Sequence, residues 1–178
     1  MSLDTVGNTF TMTFELKVFD NFLSEEDHQT IINIFKDINW FYNKNVVYDG
    51  EEDPNLYAMV TCIYQYGSNY NKEVTNIFTK YINPYNWTRI KANFSPKRDI
   101  FLENALHIDM VTTLPDQWTA VYYINSNNGY TYFEDGEKVS SVANRMVIFP
   151  VNTMHSGTTS TDDHRLVINF NWFGSMAE

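Results

Sequence analysis

"RLVINFNWF", residues 165–173, alternates as a strand does. Successive strand side chains point to opposite faces, so Leu166, Ile168, Phe170 and Trp172 share one face and Arg165, Val167, Asn169 and Asn171 the other. The first set reads as a core side packed on a second layer. The second set carries a guanidinium and two amides, which suits either solvent or a polar pocket. Working back along the chain, similar short runs recur: "WTRIKANF" (87–94), "ALHIDMV" (105–111), "WTAVYYIN" (118–125), "YTYF" (130–133), "EKVSSV" (137–142), "RMVIFP" (145–150) and "MHSGTT" (154–159). Turn-rich "NSNNG", "EDGE" and "TSTDDH" separate several of them. This texture predicts a mainly β fold with about eight short strands, a sandwich or jelly roll.

The first half mixes strand and helix. "TFELKVFDNFL" (13–23) alternates like a strand, and "SEEDHQTIINIFKDIN" (24–39) opens with Ser24 and Asp27 at capping-box spacing. His28, Ile31, Ile32, Phe35 and Ile38 then recur at helical spacing and predict an amphipathic helix packed on a sheet. "LYAMVTCIYQYG" (56–67) predicts a strand, and "NKEVTNIFTKYIN" (71–83) a second helix that Pro84 ends. Between them "FYNKNVVYDGEEDPN" (41–55) is too long and polar for a tight turn. It is a candidate lid, with Tyr42, Tyr48 and the acidic run Glu51 to Asp53 in it. The run suits attraction of a cationic substrate or plain loop solubility.

The 178 residues, 43% of them hydrophobic and 19% charged, predict one globular domain over 1–178, with N-terminal support over about 1–86 and a β core over about 87–173. A formal net charge of −10 repels phosphate backbones, so a nucleic-acid partner is disfavoured. The single cysteine, Cys62, excludes an intrachain disulfide and suits a reducing cytoplasm. No basic leader and no run of about 18 apolar residues occurs, so the expectation is a cytoplasmic, membrane-free protein. Oligomeric state is not legible.

The chain has four histidines. His28, beside acidic residues in a helix, reads as structural, and His164, adjacent to Arg165 on a strand, faces the opposite way from it. "NALHIDMVTT" (104–113) puts His107 and Asp109 on one strand face, where two such groups are costly unless they pair or bind something. His155 in "PVNTMHSGTT" follows an apolar strand. Two imidazoles and one carboxylate can occupy one face of a non-haem iron(II) centre and leave the other positions open. Arg165, ten positions beyond His155, could clamp a carboxylate as a fork.

In this order, "HID", "MHSG" and "HRLVINF" resemble the H-x-D…H…R signature of the iron(II)- and 2-oxoglutarate-dependent dioxygenases. "RIKANF", "TAVYYIN", "GYTYFEDG", "VIFP" and "KVFDNFLSEEDHQTII" are similar to the prolyl-4-hydroxylase-like branch. The resemblance implies a double-stranded β-helix with N-terminal helices buttressing one sheet. It implies Fe(II) held by His107, Asp109 and His155, these three being the catalytic centre. It further implies 2-oxoglutarate with its distal carboxylate at Arg165, and O2 as oxidant. Tyr123 matches a tyrosine position near that carboxylate, though one more core aromatic reads equally well, and Asn93 is a candidate contact to co-substrate or product. The implied reaction hydroxylates a peptide (prolyl or other), amino acid or small metabolite and releases succinate and CO2. Two rivals stay open: a zinc or manganese hydrolase using the same triad, and a non-catalytic jelly-roll binding module.

Overall fold

The computed structural model describes residues 16–44 and 57–175. Tyr48, the Glu51 to Asp53 run and the start of the first predicted strand lie outside the described residues. In chain order the elements are β1 (Lys17–Phe19), α1 (Glu25–Asp37), β2 (Phe41–Asn43), β3 (Ala58–Gln65), β4 (Ser68–Asn69), α2 (Lys72–Ile82), β5 (Asn86–Ser95), β6 (Gln117–Tyr123), β7 (Tyr130–Phe133), β8 (Lys138–Ser140), β9 (Arg145–Pro150), β10 (His155–Gly157) and β11 (Arg165–Phe173).

Two antiparallel sheets face each other in the manner of a jelly roll. The large one runs β1-β9-β6-β11-β5-β3-β2, with β4 paired to β3, and the small one runs β10-β7-β8. The register of β11 follows from its alternation. Leu166, Ile168, Phe170 and Trp172 enter a core with Ile90 and Ala92 of β5, Ala120 and Tyr122 of β6, and Met146 and Ile148 of β9. The apolar faces of both helices, Ile31 and Phe35 from α1 and Val74, Ile77, Phe78 and Ile82 from α2, complete that core. The helices therefore buttress the outer face of the large sheet, as the amphipathic spacing predicts.

Both helix starts are capped by side chains. Ser24 Oγ accepts from the Asp27 amide at 3.1 Å, and Asn71 Oδ1 from the Val74 amide at 3.1 Å. α2 ends at Ile82, two residues before Pro84, and the capping Asn83 adopts φ +49° and returns its amide to the Thr79 carbonyl. The opposite face of the large sheet, Val121, Tyr123, Val147, Phe149 and Val167, packs with Phe133 and Val139 of the small sheet in a second core between the layers.

Two segments differ from expectation. "ALHIDMV" is not a strand: His107 makes one isolated bridge to His155, and Glu103 another to Thr158. Four residues separate the bridges on one side and three on the other, so the segment carries an extra residue and cannot keep a continuous ladder. The candidate lid begins as an edge strand, β2, paired with β3 through Tyr42↔Met59. Among the described residues no helix is long and apolar enough to cross a membrane.

Candidate metal centre and its pocket

His107 and His155 meet through the isolated bridge, exchanging backbone bonds in both directions (2.9 and 3.0 Å). Residues opposite each other in an antiparallel pair project to the same face, and here their rings lie with centroids 4.9 Å apart. Asp109, two residues on, turns back so that its Oδ1 stands 3.6 Å from His107 Nε2. One ligand atom from each of His107, Asp109 and His155 lies within 4.8 Å of the others.

Each of the three is oriented from behind. His155 Nδ1 faces the Thr153 carbonyl at 2.9 Å, and His107 Nδ1 the Ala105 carbonyl at 3.4 Å. A carbonyl only accepts, so Nδ1 carries the proton and Nε2 presents its lone pair. His155 Nε2 is buried and has no partner, while its ring packs on Phe149 and Phe133. Asn171, from the polar face of β11, donates from Nδ2 to Asp109 Oδ2 at 3.1 Å and to Thr119 Oγ1 at 3.0 Å, which leaves Oδ1 turned to the imidazoles.

Protonation states suit a cation. Burial pushes the Asp109 pKa up, but the His107 contact, the charges of Arg89 and His155 and the Asn171 bond together bring it well below the usual carboxylate range. Burial lowers the His155 pKa, with Asp109 opposing. An ionised carboxylate and neutral imidazoles are what a divalent metal requires. The orphaned Nε2, the convergent atoms and the borderline N/O donor set fit a metal such as iron, nickel or zinc.

The same cavity, about 120 Å³, is lined also by Arg89, Lys91, Asn93, Thr131, Gly157 and Arg165 among others. Arg165 is 7% exposed, and among the described residues its guanidinium donates to hydroxyls, Ser141 Oγ and Thr131 Oγ1, each at 3.2 Å. Its face of β11 is a pocket wall, and His164 turns the other way to stack on Phe94. A buried guanidinium without a carboxylate is costly and calls for an anion.

Tyr123 does not line the cavity. It is fully buried, with the Arg165 guanidinium 5.7 Å from its ring centre and its hydroxyl given to Thr131 Oγ1 at 2.7 Å. Asn93 lines the wall, opposite Val167 of β11. His28 is a core residue on the far side of the sheet, 2.6 Å from the Tyr122 hydroxyl.

Sequence reasoning passed over several residues. Gly129 and Gly157 make room for Arg165: a Cβ on Gly129 would stand 2.8 Å from its Cδ, and one on Gly157 3.1 Å from Nη1. Nothing local in "NNGY" or "HSGT" signals this, because the need arises only when the small sheet closes over β11. Arg89 and Lys91, by contrast, share one face of β5 with Asn93 and Ser95, a polar face that lies beside that of β11.

No protein-family model and no curated protein matches the sequence. Solved structures do match. The chain is similar to the viral collagen prolyl hydroxylase of Paramecium Bursaria Chlorella virus-1 in its 2OG complex (17% identity, 90% of this chain and 96% of that one, TM-score 0.53). It is also similar to a 2OG-Fe(II) oxygenase family oxidoreductase from Burkholderia pseudomallei (10%, 91% and 86%, TM-score 0.61). A third is HygX of Streptomyces hygroscopicus with nickel and 2-oxoglutarate bound (9%, 92% and 84%, TM-score 0.56). The chain has the fold of the 2OG-Fe(II) oxygenases. At these identities the likeness concerns architecture, a jelly roll covering most of each chain. The His107, Asp109, His155 cluster stands on this chain's own geometry.

Proposed function

We propose that this protein is an iron(II)- and 2-oxoglutarate-dependent dioxygenase. It would couple 2-oxoglutarate, O2 and a substrate C–H bond to succinate, CO2 and a C–OH bond. The observation that carries the reading is the convergence of two imidazoles and one carboxylate in a cavity that also holds a buried arginine with no carboxylate partner among the described residues.

His107 Nε2, Asp109 Oδ1 and His155 Nε2 hold the metal, and Asn171 fixes the carboxylate that it needs. Arg165 takes the distal carboxylate of 2-oxoglutarate, cradled by Gly129 and Gly157, while Tyr123 and Thr131 support its guanidinium from behind. Bound iron supplies the redox chemistry of dioxygen activation. The chain's own part is position and dryness: Val121 and Val167 line the cavity beside the polar groups and keep bulk water from the reacting centre. The reading extends to a small-molecule or peptide substrate, and to a cytoplasmic protein.

A zinc or manganese hydrolase would leave Arg165 without an anion to hold, which favours the oxygenase. Incubation with iron(II), 2-oxoglutarate and ascorbate in air tests the choice. Iron-dependent succinate release that Asp109→Ala abolishes supports it, and hydrolytic turnover with zinc alone would replace it.

A further inference from the structure

The proposed function uses Arg165 and leaves two other cations of the cavity without a role. Arg89 and Lys91 on β5 line it on the wall nearest the ligand cluster: Arg89 sits opposite Asn171, the residue that holds Asp109, and Lys91 opposite Asn169. Among the described residues neither side chain makes a hydrogen bond or an ion pair, and Asp109 is the only carboxylate lining the cavity. Burial and the neighbouring Arg89 lower the Lys91 pKa, with Asp109 and Cys62 opposing.

Along the wall they stand away from Arg165. Arg165 lies opposite Ser95, six residues along β5 from Arg89 and four from Lys91. At about 3.3 Å per residue the backbone positions are roughly 20 and 13 Å apart. Beside Lys91, the Asn169 amide oxygen is buried with no partner. The wall thus offers two cationic donors and, next to them, an acceptor that lacks a donor.

We propose that Arg89 and Lys91 bind the carboxylate of the substrate, and that Asn169 Oδ1 accepts from an N–H or O–H on its adjacent carbon, so that the substrate is a free α-amino or α-hydroxy acid. This rests on the proposed function, because it takes the Arg165 end for the co-substrate. It adds a substrate class that excludes internal residues of a peptide, whose carboxyl is an amide. Fork-like pairing to the guanidinium and a point charge from the ammonium give selectivity for an ionised carboxylate over a carboxamide.

The test is calorimetric titration of the full chain, loaded anaerobically with nickel(II) and 2-oxoglutarate, with the proteinogenic L-amino acids and with L-lactate and L-malate, each against its primary amide. The expected result is at least one acid bound about tenfold or more tighter than its amide. In Arg89→Gln and Lys91→Gln that preference shrinks, and in the double variant it is lost, while the affinities for nickel and 2-oxoglutarate stay within about threefold. Amino-acid and hydroxy-acid arms identify which donor meets Asn169. The inference is overturned if acids and amides bind alike, if no acid binds, or if 2-oxoglutarate affinity falls with the Gln variants, which would make the pair part of the co-substrate site. Repeating the acid and amide comparison without metal separates the two readings. Failure of nickel to bind contradicts the proposed function, whereas loss of the acid preference in the metal-free protein contradicts this inference.

Discussion

Asn171 shows how little material orients a candidate ligand: one amide N–H, its nitrogen 3.1 Å from Oδ2, keeps the buried Asp109 carboxylate facing two imidazoles. Partners of this kind commonly set metal affinity by about 10- to 100-fold, so Asn171→Ala is expected to weaken nickel(II) binding by about tenfold or more in a calorimetric titration. Gly157→Ala should act elsewhere. Its methyl group would stand 3.1 Å from Arg165 Nη1, and a displacement of a positioning group by a fraction of an ångström or more costs roughly ten- to a hundred-fold. The expected outcome is a raised KM for 2-oxoglutarate with metal affinity unchanged, and equal loss of both would contradict the cradle. At this scale the sequence shows the residue types of the candidate ligand set and their order. It could not show whether the Arg165, Val167, Asn169, Asn171 face met solvent or a pocket, because the small sheet that encloses it is placed by long-range pairing, His155 with Phe133 and Gly157 with Thr131.

Strands and helices were the most legible level, where periodicity was strong and local. β9 and β11 have the bounds that their alternation predicts, and Ser24 caps α1 at the position that the motif marks. Ser24→Ala should cost about 1 kcal/mol in urea unfolding. Phe170→Ala, which empties the contact with Phe78 and Trp87 beneath β11, should cost about 3–5 kcal/mol. A smaller loss at Phe170 than at Ser24 would contradict the placement of the main core under the large sheet. The segment carrying His107 alternates like a strand in sequence, but it makes only two isolated bridges. An extra residue between its two bridges breaks the ladder, and a bend at Asp109, just beyond the second bridge, accompanies the inward turn of its carboxylate. Convergence of His107 and Asp109 with His155 therefore comes from a bulged loop pinned to β10. Such an irregularity leaves no signature in residue periodicity.

Over the whole molecule, two buried histidines tie stability to pH. Burial lowers the pKa of His28 from its ordinary 6.5, and burial likewise lowers that of His155. A histidine whose folded pKa is lowered takes up its proton more readily when unfolded, so the unfolded state gains protons first as pH falls below about 6.5. The metal-free protein should hold its full stability above that pH and lose it progressively below, read as a falling Tm. His28→Gln keeps an amide that can donate to or accept from the Tyr122 hydroxyl and cannot titrate, so the decline should be shallower in that variant. An unchanged slope would remove His28 from the account. The acidic exterior, net charge −10, encloses a cavity lined by three cations and one carboxylate, an inversion that favours small anions over phosphate polymers. The most direct measurement is anaerobic visible absorption of the protein with iron(II) before and after 2-oxoglutarate is added. The account predicts a weak charge-transfer band on addition of the keto acid, absent in His107→Ala, Asp109→Ala and His155→Ala, and needing more 2-oxoglutarate in Arg165→Ala. No band at saturating iron and keto acid, or an undiminished band in Asp109→Ala, would contradict it.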